Sequence, residues 1–76
     1  MQRVRLNSTV VQSAGYQDCL ALLELGFRDG AVYQYFQVSE QTFQELLRAE
    51  SKGAYFNANI RHRFASAKTR QAEANP

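Results

Sequence analysis

The chain has 76 residues, nine Lys or Arg against seven Asp or Glu, one cysteine and one histidine, for a formal net charge of +2. That length holds one small domain, which typically buries only about 60% of its unfolded surface and so carries a thin stability margin. A lone Cys19 excludes an intramolecular disulfide, and Cys19 with His62 is too small a ligand set for structural zinc, so no cofactor or metal is expected and the setting reads as reducing and cytoplasmic.

Residues 1–7 read as an N-terminal arm or short leading strand, since "MQRVRLNSTVV" carries Arg3 and Arg5 but no apolar block of a signal peptide. "STVVQSAGY" is the first strand of the body. "CLALLELGF" is the second. Its leucines alone favour helix, but Gly26 and the flanking turn residues argue for a strand. Glu24 interrupts this longest apolar run, which is far too short to span a membrane. "AVYQYFQV", dense in Val, Tyr and Phe, is the third strand. Gln17-Asp18 and Arg28-Asp29-Gly30 are the hairpin turns.

Helices follow. Ser39 is a good N-cap, Glu40 suits the first turn, and Val38 with Phe43 fits the hydrophobic staple. Phe43, Leu46 and Leu47 then share one side. "SKG" ends this helix, with Gly53 at the left-handed C′ position. "AYFNANIRHRF" is a second helix whose Phe56, Ile60 and Phe64 form an apolar stripe. The polar "ASAKTRQAEANP" reads as frayed helix or disorder. These readings predict a domain over 8–66 and a polar tail over 67–76. The expected fold is α+β: a three-stranded antiparallel β-meander followed by a helical hairpin packed on one sheet face.

The turn between the last two strands decides where Tyr33 and Tyr35 point. A two-residue Asp29-Gly30 loop pairs Phe27 with Val32 and puts the tyrosines opposite the leucine face. A three-residue Arg28-Asp29-Gly30 loop pairs Phe27 with Ala31 and sets Tyr33 and Tyr35 beside Leu25 and Leu23. Only the second keeps Gln34 with Glu24, away from core leucines, where an unpaired amide would cost ~1–3 kcal/mol. The tyrosines are therefore expected inward, as support for the helical layer rather than a stacking platform. Leu20, Leu22, Val32 and Phe36 would then form a semi-apolar outer patch around Glu24 and Gln34.

The series "STVV…AGY", "LELGFRDGAVYQYFQV" and "AESKGAYFNANIRHRF" resembles the KTSC domain, named for the C-terminal extension of some lysyl-tRNA synthetases and also found as a free-standing bacterial protein. The resemblance runs from Ser8 to Phe64, with the Tyr-x-Tyr pair and the segment from Gly53 to Arg61 most distinctive. The chain departs from the pattern at Ser39, where a proline often follows the valine, and at Gln17, where an acid is common after Gly-Tyr. The resemblance implies a small domain for which RNA binding has been suggested from the synthetase context.

Catalysis is not expected. His62 is the sole histidine, no triad spacing or carboxylate pair occurs, and "SKGAYF" lacks the features of a phosphate loop. Charge is more informative. From Arg48 to Arg70, six cations (Arg48, Lys52, Arg61, Arg63, Lys68 and Arg70) stand against Glu50 alone, which suggests an anionic partner. Asn57 and Arg61, four apart on a helix, could hold phosphate and a base edge, with Lys52 extending the strip. Their structural alternative is a cross-linked helical turn, with Arg61 pairing Glu45 or Glu50. The expected function is non-enzymatic binding of RNA or single-stranded nucleic acid through Lys52, Asn57, Arg61, Arg63, Lys68 and Arg70. Stacking on Tyr33, Tyr35 or Tyr55 is the lesser option. The alternative is a protein-interaction or homodimer module using Leu22, Val32 and Phe36.

Overall fold

The structure, a computed structural model, describes residues 2–70. Its elements run β1 (Gln2–Arg5), β2 (Val11–Gln17), β3 (Leu22–Phe27), β4 (Val32–Tyr35), α1 (Glu40–Arg48), α2 (Lys52–Asn59) and β5 (Ser66–Arg70). The strands form one antiparallel sheet in the order β1-β2-β3-β4-β5, so both helices sit between two neighbouring strands. This is the expected α+β class, with five strands where the sequence predicts a three-stranded meander.

The register between β3 and β4 is the one that polar placement favours. Leu23 pairs with Tyr35, Glu24 with Gln34 and Leu25 with Tyr33. Phe27 donates its N–H to Ala31 O at 2.9 Å, closing the three-residue loop. Gly30 adopts φ 95°, where any Cβ would be strained. Asp29 Oδ1 accepts the Ala31 N–H at 3.0 Å, which fixes the loop from within.

The two additional strands carry little apolar signal. β1 lies at one edge, and its Arg3 reaches Ser13 Oγ at 2.9 Å and forms an ion pair with Glu24. β5 lies at the other edge, pairing Ser66 with Tyr35 and Lys68 with Tyr33. Edge strands need only backbone partners on one side, and charged residues suit them. Residues 66–70 are thus strand, not the frayed tail predicted from 67 onward; 71–76 lie outside the described residues.

Other boundaries shift for local reasons. The second expected strand begins at Leu22 rather than Cys19, because Asp18–Leu20 forms a 3₁₀ turn closed by Ala21 at φ 50°. Ser39 does cap α1, accepting from Thr42 N–H at 3.2 Å. That helix ends at Arg48, and Ser51 caps α2 by accepting from Ala54 N–H at 3.2 Å. Gly53 is therefore inside α2, not a C′ residue. It packs closely on Val10 there: a Cβ would lie 3.2 Å from Val10 Cγ2, tight enough that Val10 would have to shift. α2 stops at Asn59 instead of continuing to Phe64; Ile60 and Arg61 both donate N–H to Phe56 O at 2.9 Å as the chain turns away.

The core lies between the helices and one sheet face. Val11, Ala14, Leu23, Leu25, Val38, Leu46 and Ile60 are fully buried, with Tyr35, Phe43 and Phe56 nearly so. Tyr16 stacks on Phe43 at 5.1 Å and donates its hydroxyl to Val38 O at 2.6 Å, joining sheet to helix. Among the described residues no helix is long and apolar enough to cross a membrane.

Candidate functional site

Two short helices cannot cover five strands. They leave open the end of the inner sheet face formed by β4 and β5, where a groove of about 730 Å³ remains. That volume falls within the range of small-ligand clefts.

Its floor is aromatic. Phe27 meets Tyr33 edge to face at 5.7 Å and Phe56 at 5.3 Å, Phe56 meets Tyr35 at 5.8 Å, and Tyr33 lies alongside Tyr35 at 6.3 Å and 26°. The two tyrosines differ in access. Tyr35 is buried, and its phenol is pushed up to about 12 by that burial and by Tyr33, against a downward pull from Arg61. Tyr33 is only half-buried, and its ring opens into the groove. Both point toward the helical layer as the register requires, yet only Tyr35 is enclosed by it.

The walls are polar. On the helical side Asn57, Arg61 and His62 line the groove. Arg61 Nη1 donates to Asn57 Oδ1 at 3.3 Å, so the i, i+4 strip forms even though the helix ends between the two. Arg61 therefore pairs with Asn57, not with Glu45 or Glu50. His62 shares that wall because residues 60–63 turn. On the sheet side, Lys68 Nζ stands 5.7 Å from the centroid of the Tyr33 ring. Such a contact is worth about 0.5–1 kcal/mol at an exposed site and aligns the ammonium with the aromatic surface. Arg28 and Asp29 close the groove at the β3–β4 turn.

The remaining predicted site residues lie elsewhere. Lys52 donates Nζ to Ala49 O at 2.8 Å and braces the link between the helices. Arg63 is exposed outside the groove. Arg70 pairs its backbone with Val32 at the end of β5. Tyr55 donates its hydroxyl to Glu45 Oε1 at 2.8 Å, tying α2 to α1. Burial first and the Glu45 bond second push that phenol up to about 12, while the Tyr55 and Gln41 hydrogen bonds hold the Glu45 carboxyl below its ordinary value.

The outer sheet face is less apolar than expected. Leu22 is buried, Val32 half-buried, and only Leu20 and Phe36 stand exposed. Its centre is polar: Glu24 accepts from Arg3 and from Gln34 at 3.2 Å.

Arg28 and Asp29 were legible only as turn formers. Their place beside the groove follows from the register, because the turn joining β3 and β4 lies at the end of the face that carries Tyr33.

The comparisons with known proteins agree with this architecture. Residues 7–64 match the KTSC domain. A protein of Tsukamurella paurometabola is 37% identical over 59 residues, covering 78% of this chain and 88% of that protein. A protein of Stutzerimonas stutzeri is 42% identical over 57 residues, covering 75% and 80% respectively. A lysine–tRNA ligase of Nostoc punctiforme is 34% identical over 56 residues, which are 74% of this chain but 10% of the ligase. The crystal structure of a KTSC domain protein from Yersinia pestis superposes with a TM-score of 0.84 at 37% identity, covering 88% of this chain and 94% of that one. The chain belongs to the KTSC domain family.

Proposed function

We propose that this protein is a non-enzymatic module that binds single-stranded RNA, or single-stranded nucleic acid more broadly, in the groove between α2 and β5. The observation that carries the reading is the half-open Tyr33 ring with Lys68 against it and Arg61 on the opposite wall. A splayed base stacks on an aromatic face, and the neighbouring phosphates need fixed cations. The groove is lined by both.

Stacking and structural roles divide between the two tyrosines in this reading. Tyr35 holds the floor and Tyr33 receives the base. Duplexes are disfavoured because their bases are already stacked. The lysine–tRNA ligases that contain a similar segment add support for an RNA partner. A groove of stacking surface and fixed cations serves binding rather than bond making, and such a ligand suits the cytoplasmic setting inferred from the single cysteine.

Backbone amide shifts of the labelled full chain, followed while a short single-stranded RNA is added at low salt, test this. Perturbations are expected at Tyr33, Asn57, Arg61, His62 and Lys68. Silence there, or shifts confined to Leu20 and Phe36 on the outer face, would overturn the reading.

A further inference from the structure

The groove is not uniformly basic. Arg61 and Lys68 flank its aromatic centre, but the turn end presents Asp29, the one acid among the described residues that line it. Arg28 beside it offsets that charge, whereas no acid among the described lining residues opposes Arg61 and Lys68. The backbone of a bound strand must therefore run at the Arg61–Lys68 side, with the base directed toward the turn. We propose that Asp29 reads this base and that the base is guanine. The inference rests on the nucleic-acid reading above and adds its sequence preference.

An ionised carboxylate only accepts hydrogen bonds, so it recognises a base edge that donates. On a single strand the pairing edge is free to be read. Guanine alone among the four RNA bases places two donors side by side there, the N1 imino and the N2 amino groups. Adenine and cytosine offer one amino group beside an acceptor nitrogen. Uracil offers one imino group between two carbonyls, which a carboxylate repels. Guanine also carries O6 beside N1, and Arg28, next in the chain to Asp29 and lining the same groove, supplies a donor for it.

Asp29 is held for the task. Its Oδ1 accepts the Ala31 N–H at 3.0 Å, and the loop is pinned by the Phe27–Ala31 and Gly30–Phe27 backbone bonds, both 2.9 Å. The turn bond alone would explain an Asp or an Asn equally well. Only the second carboxylate oxygen distinguishes them, and Asp29→Asn keeps the turn acceptor while converting that oxygen to a donor.

The test uses the full chain and three labelled heptamers, uridines with a single central guanosine, inosine or adenosine, read by fluorescence anisotropy. Wild type is expected to bind the guanosine oligomer about tenfold or more tighter than the adenosine one, the usual discrimination of a two-bond base contact. Inosine, which lacks the N2 amino group, falls between. Asp29→Asn, with an unchanged melting temperature, is expected to abolish the guanosine preference. Equal wild-type affinity for guanosine and adenosine would overturn the inference while leaving the groove reading intact. So would an Asp29→Asn gain that is equal for all three oligomers, the signature of simple repulsion. Failure of wild type to bind any of them would overturn both.

Discussion

Replacing Arg61 and Lys68 by glutamine removes the two cations that flank the Tyr33 ring while leaving the core intact, since neither side chain is buried. Each phosphate neutralised on a single strand contributes about −0.7 to the slope of log K against log salt concentration. Two contacts give about −1.4, so a fourfold rise in salt, from roughly 50 to 200 mM, weakens wild-type binding about sevenfold. Lys68→Gln leaves one contact, a slope near −0.7 and a loss of about 2.6-fold over the same range. The double variant should be almost insensitive to salt. Arg63→Gln, outside the groove, keeps the full slope. Anisotropy titrations of a short single-stranded RNA at four salt concentrations measure these slopes directly. A double variant with the wild-type slope, or an Arg63 variant that loses as much, would refute the assignment of phosphates to this groove.

Gly30→Ala places a Cβ at φ 95° and should cost about 1–2 kcal/mol, a melting-temperature drop of roughly 5–12 °C for a domain of this size. An unchanged melting curve would contradict the three-residue loop. Tyr35 and Tyr55 both have phenols raised to about 12, so the neutral form is the one the fold favours. Their contribution is whole below the unfolded value of about 10 and is lost as pH climbs through about 12. Denaturation midpoints should fall across that window, and less so in Tyr35→Phe; a flat profile would count against the burial of Tyr35.

The β3–β4 register was legible because one polar residue, Gln34, discriminates between two loops of similar local merit. α1 was legible because Ser39, Val38 and Phe43 mark its start by their own chemistry. The edge strands were not. "QRVR" and "SAKTR" present no apolar alternation, and what holds them is backbone pairing to β2 and β4 together with the Arg3–Glu24 ion pair. The start of α2 rests on Ser51, whose hydroxyl caps it, while Gly53 reads locally as a helix stop although it lies within α2 beside Val10.

The site was half legible for the same reason. Spacing alone joined Asn57 to Arg61. Lys68 falls in the stretch that reads as a frayed or disordered tail, and it meets Tyr33 only because β5 pairs with β4. Register places Tyr33 and Tyr35 on one face alike, whereas the fold leaves Tyr35 enclosed and Tyr33 open to the groove.

Intermolecular NOEs between the Tyr33 ring protons and base protons of a bound single-stranded RNA test the central claim most directly. Cross-peaks from Tyr33 to a base, with the outer-face Phe36 ring silent, are the predicted result. A complex whose base contacts arise from Phe36, with none to Tyr33, would contradict it.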